Sequence, residues 1–339
     1  MTSSVSKNQR VLVAGAGGFI GGHLVRHLRE RSDSDIRAVD IKPLSEWYQH
    51  FPDVDNRRLD LRRLEACLEG TREIDTVYNF ASDMGGMGFI ENNKALCMLS
   101  VLINAHLLEA SQAEGVQCYF FASSACVYAA EKQRDPANPG LKESDAYPAE
   151  PEDGYGWEKL FSERLCRHFY EDFGLETRLA RYHNVFGPYG TYDGGREKAP
   201  AAICRKVIEA QLNGSDTIEI WGDGKQTRSF TYIGDALNGT NLLIESDCRE
   251  PINVGSSEMV SIDELVDLVE GIAGVKLVRR YDTSAPQGVR GRNSDNTLIR
   301  ERLGWEPSTS LRKGLEETYR WIYDQLVRRH AQQAAVALS

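Results

Sequence analysis

Four side chains in two short segments have the types and spacing that acid–base chemistry on an alcohol requires. Ser124 and Cys126 lie two residues apart, and Tyr155 and Lys159 follow them at positions i and i+4. On a helix the second pair shares one face, so the ammonium can lower the pKa of the phenol from its ordinary value of about 10. The phenol could then take a proton from a hydroxyl group, and a cysteine thiolate suits proton removal from carbon.

These two activities together indicate a site that oxidises an alcohol to a ketone and then inverts the neighbouring carbon. Each feature also has a simpler interpretation. Y-x-x-x-K pairs occur by chance on exposed helices, and a single cysteine such as Cys126 is often only a small buried apolar residue. The chemical interpretation therefore depends on whether the chain also builds a cofactor site.

A glycine-rich turn near the start of the sequence predicts such a site. The apolar run at 11–14 is followed by Gly15, Gly18 and Gly21 and then by a stretch with helical periodicity. Gly15 would make the tight turn, Gly18 would let the backbone approach a pyrophosphate, and Gly21 would allow close packing of helix and strand. The N-terminus of the helix would present free N–H groups to the phosphates. The predicted cofactor contacts here are Gly15, Gly18, Phe19, Ile20 and Gly21.

Two carboxylates downstream refine the prediction of the cofactor. Asp40 ends the second predicted strand, 19 residues after Gly21. A carboxylate at that place bonds both ribose hydroxyls and disfavours a 2′-phosphate, so the predicted cofactor is NAD and not NADP. Asp60 is a candidate contact to the adenine, although it could almost equally be the N-cap of a helix.

The order of the predicted elements indicates an α/β fold. Strands at 76–81 and 118–123 are each followed by a predicted helix, at 91–113 and 155–173. This alternation is typical of a Rossmann-type doubly wound parallel sheet, in which ligands bind at the carboxyl edge. The strand at 118–123 ends at that edge and brings the serine and the cysteine there.

The character of the sequence changes near residue 184, where a glycine-rich stretch without regular period begins. We therefore predict a smaller, mixed α/β C-terminal substrate-binding region beside the nucleotide-binding sheet, with a cleft between them. The predicted segments are an NAD-binding domain at 9–183 to which 226–255 returns, a substrate-binding domain at 184–325, and tails at 1–8 and 326–339.

The composition argues against several classes of protein. The chain has 339 residues and a formal net charge of −10 without a basic cluster, so no nucleic-acid partner is predicted. Its longest apolar stretch is interrupted by glycines and is too short to cross a bilayer, so no membrane partner is predicted. Seven scattered cysteines lack zinc-type spacing, which predicts no metal site and a cytoplasmic location.

Basic residues in the second half are candidates for proton transfer and phosphate binding. Inversion at carbon needs a second acid or base opposite Cys126, and Lys198 in a glycine-rich loop is the best candidate. Arg228, Arg290 and Arg292 could clamp a diphosphate, because the guanidinium fork matches phosphate oxygens. The alternative for each of these residues is a solvated surface charge or a surface salt bridge.

The order of the motifs also resembles a known group of enzymes. A glycine turn, then S-S-A-C, then Y-x-x-x-K is similar to the extended short-chain dehydrogenase/reductase superfamily that acts on nucleotide sugars. Within it, the segments at 83–90, 194–202, 221–230 and 288–295 resemble the family of the GDP-mannose 3,5-epimerases. The resemblance extends from about residue 9 to residue 325, and the M-G-G-M and G-G-R-E-K-A-P loops are its most specific parts.

The resemblance implies an isomerase with NAD, GDP-mannose as substrate, and a homodimer. Cys126 and Lys198 would be the acid–base pair at carbon, so the implied catalytic residues are Ser124, Cys126, Tyr155, Lys159 and Lys198. Arg290 matches the family's arginine better than Arg292, by its distance to Asp295. The implied substrate contacts are Gly85, Ser124, Ala125, Cys126, Asn184, Glu197, Lys198, Ala199, Lys206, Gln226, Thr227, Arg228 and Arg290.

Other functions of the same fold are weaker alternatives, with one exception. A 4,6-dehydratase would carry a Thr-Asp-Glu cluster in place of Ser124-Ala125-Cys126, and a 4-epimerase would not need Cys126 and Lys198. A non-enzymatic NAD-sensing protein would be expected to lose the Tyr/Lys pair. The exception is epimerisation at C5 alone, which gives GDP-L-gulose instead of GDP-L-galactose. It uses the same acid–base pair, so the sequence does not separate the two outcomes.

Overall fold

Seven parallel strands form the central sheet of the computed structural model, which describes residues 9–31 and 34–337. Among these residues the strands are β1 (Arg10–Ala14), β2 (Asp35–Asp40), β3 (Asp55–Arg58), β4 (Thr76–Asn79), β5 (Cys118–Ser124), β6 (Glu176–Tyr182), β7 (Val185–Phe186), β8 (Thr217–Trp221), β9 (Thr227–Ser229), β10 (Thr231–Tyr232), β11 (Ile252–Val254), β12 (Met259–Ser261), β13 (Val278–Asp282) and β14 (Gly291–Arg292). The order across the sheet is β3-β2-β1-β4-β5-β6-β11, and every neighbouring pair is parallel. The predicted doubly wound α/β fold is confirmed.

Helices cover both faces of this sheet. The helices of the described residues are α1 (Phe19–Arg31), α2 (Leu64–Thr71), α3 (Met87–Asn92), α4 (Lys94–Met98), α5 (Val101–Ala113), α6 (Asp153–Phe173), α7 (Ala199–Asn213), α8 (Ile233–Glu245), α9 (Ile262–Ala273), α10 (Thr297–Leu303) and α11 (Leu311–Ala337). Because side chains alternate along a strand, Val11 and Val13 of β1 enter one apolar core while Leu12 and Ala14 enter the other. Because β1 is buried on both faces, its residues 11–14 are all apolar, which explains the continuous apolar run in the sequence.

The helical region before β5 differs from the single helix predicted at 91–113. It is divided into α3, α4 and α5. Between α3 and α4, Asn93 leaves the helical conformation (φ −133°, ψ 40°) and its side chain donates to the carbonyl oxygen of Phe89. Between α4 and α5, the N–H of Ser100 donates to the carbonyl oxygen of Cys97 in a tight turn. The segment Lys94–Ala113 is apolar and long enough to cross a membrane by length and composition alone. In this fold α5 packs against α2 and α6, and Leu107 is fully buried.

A second apolar core underlies the C-terminal region. There α7, α9 and α11 pack together beside the parallel pair of β8 and β13. Of the segment 226–255, α8 packs on α1 and β11 extends the main sheet, whereas β9 belongs to a small sheet with β12 and β14. The predicted tail at 326–339 is helical up to Ala337, because Leu326 is fully buried in the second core. The other predicted tail, 1–8, lies outside the described residues.

Candidate active site

The turn after β1 has the tight geometry that its glycines predict. Gly15 has a φ of +83°, and a Cβ there would lie 2.8 Å from the backbone that follows β4. The N–H of Gly18 donates to the carbonyl oxygen of Gly15 at 3.0 Å, and a Cβ at Gly21 would lie only 2.2 Å from that oxygen. Phe19 and Ile20 open α1, whose N-terminal N–H groups face the carboxyl edge of the sheet. This cradle fits the pyrophosphate of NAD.

The two predicted carboxylates near the cofactor site differ in their surroundings. Asp40 is buried at the end of β2, where its oxygens accept from the N–H groups of Gly17 and Lys42, both at 3.0 Å. It is thereby held beside the glycine turn, as binding of a ribose diol requires. Asp60 follows β3, and its carboxylate binds Arg62 at 2.7 Å, which lowers the pKa of Asp60. The side chain of Asp60 is therefore engaged in an ion pair.

Tyr155 and Lys159 lie on one face of α6 and are both buried. Nζ of Lys159 is 5.5 Å from the centroid of the Tyr155 ring and 4.8 Å from that of Phe121. Glu158 was not predicted as a site residue. Its Oε2 lies 3.5 Å from Nζ of Lys159, and its side chain is only 1% exposed. Its position next to the lysine in the sequence was the available signal, but adjacent residues on a helix seldom face each other.

The pKa of Tyr155 is raised well above its ordinary value, in contrast to the predicted decrease. Burial is the main cause, and the charges of Cys126 and Glu158 add to it, while a hydrogen bond with Ser124 opposes it. Burial therefore outweighs the ammonium of Lys159, which was predicted to lower the pKa of the phenol.

Cys126 lies in a 3-10 turn at the carboxyl end of β5, where Oγ of Ser124 accepts from its N–H at 3.2 Å. Nη1 of Arg292 lies 3.6 Å from Sγ of Cys126, and Nη2 of Arg292 lies 2.5 Å from Oε2 of Glu152. Burial raises the pKa of the Cys126 thiol to about 11, the charge of Glu152 adds to this increase, and Arg292 opposes it. The thiol is therefore the favoured form at neutral pH.

Lys198 reaches the same cavity from the loop before α7, for which it is the N-cap residue. The N–H of Gly86 donates to the carbonyl oxygen of Arg196 at 3.0 Å. The Arg196 guanidinium also pairs with Asp83 at 2.7 Å and lies 3.7 Å from the ring centroid of Phe89. Two loops distant in the sequence thus form one wall of the site. Burial lowers the pKa of Lys198, which favours its neutral amine.

A cavity at the carboxyl edge of the sheet brings most of the predicted site residues together. Burial and the neighbouring Arg292 lower the pKa of Arg228 in it to about 10. Asn184 has a positive φ of +44°, and its Nδ2 donates to the carbonyl oxygen of Ser229 at 3.0 Å. The predicted residues that line the cavity are Gly85, Ser124, Ala125, Cys126, Tyr155, Asn184, Glu197, Lys198, Ala199, Lys206, Gln226 and Arg228.

Thr227 and Arg290 are not among the lining residues. Thr227 donates its hydroxyl to the carbonyl oxygen of Pro136, and Arg290 pairs with Asp223 at 3.0 Å. The alternative arginine, Arg292, does line the cavity.

Three lining residues on β8 were not predicted, and besides Ile220 they are Glu219 and Trp221. The alternation in T-I-E-I-W places both on the side of the strand opposite the buried isoleucines, and this was the available signal. Over the described ranges, no group of three or more His, Cys, Asp or Glu side chains could hold a metal ion.

The chain is similar to curated nucleotide-sugar enzymes over almost its full length. Residues 11–255 match the NAD dependent epimerase/dehydratase family. The chain is 46% identical to GDP-mannose 3,5-epimerase of Arabidopsis thaliana, over 98% of this chain and 87% of that protein. It is also 46% identical to GDP-mannose 3,5-epimerase 1 of Oryza sativa subsp. indica, over 98% of this chain and 86% of that protein.

Solved structures of related enzymes have the same fold. UDP-glucose 4-epimerase of Thermotoga maritima has a TM-score of 0.81 at 23% identity, over 94% of this chain and all of that chain. UDP-glucuronic acid 4-epimerase of Bacillus cereus, in complex with UDP-glucuronic acid and NAD, has a TM-score of 0.79 at 26% identity over the same shares. The chain therefore belongs to the NAD-dependent epimerase/dehydratase family and, within it, to the family of the GDP-mannose 3,5-epimerases.

Proposed function

We propose that this NAD-dependent isomerase converts GDP-D-mannose into GDP-L-galactose by inverting C3 and C5 of the hexose through a transient 4-ketone. The observation that carries the proposal is that Cys126 and Lys198 line the same cavity as Tyr155 and Ser124. An enzyme that inverted only C4 would need Tyr155 but neither Cys126 nor Lys198. The identity of 46% to GDP-mannose 3,5-epimerase of A. thaliana supports the same substrate and product.

The first task of the site is to oxidise the hydroxyl group at C4. NAD bound at the glycine turn would supply the hydride acceptor for this oxidation and the hydride for the final reduction. Tyr155 takes the hydroxyl proton, and the positive charge of Lys159, 5.5 Å from the centre of the ring, favours the phenolate. A hydrogen bond with Ser124 opposes the rise in the pKa of Tyr155 and so also favours the phenolate.

The 4-ketone then acidifies the hydrogens at C3 and C5, because either carbanion delocalises onto the carbonyl oxygen. Ser124 and Tyr155 can donate hydrogen bonds to this oxygen as negative charge develops. Cys126 and Lys198 approach the sugar from different elements, the end of β5 and the start of α7. One group removes a proton from carbon and the other returns a proton to the opposite face, which inverts the centre.

We assign the nucleotide to the part of the cavity beyond the sugar. The guanidinium group of Arg228 lines the cavity and matches the oxygens of a diphosphate, whereas the three nitrogens of Arg292 face Gln133, Glu152 and Cys126. Glu219 and Trp221 lie on one face of β8 and line the cavity, and Oε1 of Glu219 accepts from Nε1 of Trp221 at 3.1 Å and lies 3.5 Å from Nζ of Lys206. A carboxylate accepts the two adjacent N–H donors of guanine, which uracil lacks. This chemistry supports GDP as the nucleotide.

We also propose that the protein is a homodimer. Five apolar side chains on the neighbouring helices α4, α5 and α6 and on the turn between α4 and α5 are between 38% and 54% exposed: Met98, Leu99, Leu102, Trp157 and Phe161. A contiguous apolar patch of this kind is typical of a protein–protein interface.

The seven cysteines are free thiols, which supports a reducing, cytoplasmic location.

The test of the proposed function is the identity of the product. The purified enzyme is incubated with GDP-D-mannose in deuterated water, and the sugar is followed by NMR. The proposal expects GDP-L-galactose with deuterium at both C3 and C5. Deuterium at C5 alone with GDP-L-gulose would establish the C5-only alternative. An unchanged sugar without deuterium would contradict the assignment of GDP-mannose as substrate.

A further inference from the structure

A buried ion pair between Arg292 and Glu152 lies beside Cys126, and the proposed mechanism does not use it. Nη2 of Arg292 contacts Oε2 of Glu152 at 2.5 Å, and the two side chains are only 5% and 12% exposed. Nε of the same guanidinium donates to Oε1 of Gln133 at 2.6 Å, and Nη1 faces Sγ of Cys126 at 3.6 Å. Arg292 is therefore held from two sides, and its third nitrogen is directed at the thiol.

The backbone fixes Glu152 relative to Cys126. The N–H of Glu152 donates to the carbonyl oxygen of Cys126 at 2.8 Å, and the carbonyl of Glu152 accepts the first hydrogen bond of α6, from Gly156 at 2.9 Å. A Cβ at Gly156 would lie 2.3 Å from the carbonyl oxygen of Cys126, so the first turn of α6 packs directly on the cysteine. The same turn carries Tyr155. The position of Glu152 relative to Cys126 is therefore fixed by the backbone.

We propose that Glu152 is a positioning residue for Cys126. Glu152 holds the Arg292 guanidinium against Sγ, and the balance between the negative charge of Glu152 and the positive charge of Arg292 determines whether the sulfur keeps its proton. The role in turnover rests on the proposed function, in which Cys126 exchanges protons with carbon. The effect of Glu152 on the thiol does not depend on which sugar nucleotide binds.

The electrostatics of the cluster agree with this role. Although burial alone would raise the pKa of the Glu152 carboxyl, the charge and the hydrogen bond of Arg292 lower it, so the carboxylate stays ionised. Its charge then raises the pKa of the Cys126 thiol, and Arg292 opposes that effect. The titratable and charged groups that face Cys126 from the surrounding elements are Cys97, Glu152, Tyr155, Lys198, Arg228 and Arg292.

The test is to measure the protonation of Cys126 directly. The purified full-length enzyme is alkylated with iodoacetamide over a range of pH, and the rate of modification of the Cys126 peptide is followed by mass spectrometry. Glu152→Gln should lower the midpoint of the titration by at least about 1 pH unit, because Arg292 then acts on the thiol alone. Arg292→Gln should raise the midpoint, because Glu152 then acts alone.

Two further variants separate charge from structure. Glu152→Asp keeps the carboxylate and should leave the midpoint closer to that of the wild type than Glu152→Gln does. Glu150→Gln removes a carboxylate from an exposed position two residues away and should leave the midpoint unchanged.

Shifts of opposite sign in Glu152→Gln and Arg292→Gln would support the proposal. Unchanged midpoints would overturn the proposal. Shifts in the same direction would also overturn it, because general loosening of the site would expose the thiol in both variants. If one of these two variants does not fold, the sign of the shift in the other decides. The titration needs no sugar nucleotide, so its result is independent of whether GDP-mannose is the substrate.

Discussion

The backbone N–H of Gly86 donates a hydrogen bond of 3.0 Å to the carbonyl oxygen of Arg196, and this bond joins the M-G-G-M loop to the loop that carries Lys198. The two loops approach so closely that a Cβ at position 86 would lie 2.4 Å from the carbonyl oxygen of Glu197. The position of the Lys198 amine therefore depends on the absence of a side chain at Gly86.

The variant Gly86→Ala should consequently lose activity more than stability. We expect the added methyl group to displace the backbone at Glu197 and move Lys198, with a decrease of about tenfold or more in kcat. Steady-state kinetics and denaturant unfolding measure the two effects. Gly271→Ala in α9 is the matched control, because its Cβ would meet no atom closer than 3.9 Å. Equal kinetics of wild type and Gly86→Ala would contradict the role of this contact.

The preference for NAD over NADP should depend on Asp40. The carboxylate at the end of β2 repels a 2′-phosphate, so Asp40→Asn should decrease the preference for NAD by about tenfold, which corresponds to about 1.4 kcal/mol. Binding of both cofactors to protein stripped of NAD is measured by calorimetry. Asp35→Asn, at the exposed opposite end of the same strand, should have no effect. Tighter binding of NADP than of NAD by the wild type would exclude this role of Asp40.

The choice of nucleotide should depend on Glu219. Glu219→Gln keeps the size of the side chain but removes the charged acceptor for the two guanine N–H groups, so kcat/KM for GDP-mannose should fall by about tenfold or more. Competition by GDP and by UDP is measured in parallel, and the variant should discriminate less between them. Glu301→Gln, at an exposed position of α10, serves as the control. Unaltered discrimination in Glu219→Gln would place the base elsewhere.

The apolar patch on α4, α5 and α6 should hold two protomers together. Phe161 in the patch is 54% exposed, and Phe161→Glu should shift the molar mass in light scattering from that of a dimer towards that of a monomer. Phe173→Glu changes an equally exposed phenylalanine at the far end of the same helix and should leave the mass unaltered. A wild-type protein that is monomeric at all accessible concentrations would refute the dimer.

The fold and the cofactor turn could be predicted because their signals are local. The glycines, the buried strand β1 and Asp40 lie within about thirty residues, and each has a recognisable position in a strand–turn–helix unit. The division of the predicted helix at 91–113 was not predictable, because it depends on the conformation of Asn93 within the packed loop.

The identity of the inward-facing arginine depends on contacts that spacing does not encode. Gly291 packs so closely on the loop that contains Asp135 that a Cβ at position 291 would lie 1.9 Å from the carbonyl oxygen of Asp135. This packing directs Arg292 into the cavity and leaves Arg290 with Asp223. Glu152 was missed for a similar reason. It lies 26 residues after Cys126 in the sequence, and only the fold brings its carboxylate beside the thiol.

In the proposed mechanism Cys126 and Lys198 exchange protons with opposite faces of the same carbon atoms. Lys198→Met tests this arrangement, because it removes one of the two groups and leaves Tyr155, Lys159 and the cofactor site intact. Deuterium incorporation and stereochemistry at C3 and C5 of GDP-mannose are followed by NMR in deuterated water. Lys225→Met, at an exposed loop position, is the control and should behave as the wild type.

We predict that Lys198→Met incorporates deuterium with retention, because Cys126 in its thiolate form can still remove a proton and return one to the same face, and that it forms little inverted product. A residue that was only a loop charge would change the activation free energy by no more than about 0.5 kcal/mol. Near-normal yields of the epimer from Lys198→Met would contradict the two-sided mechanism.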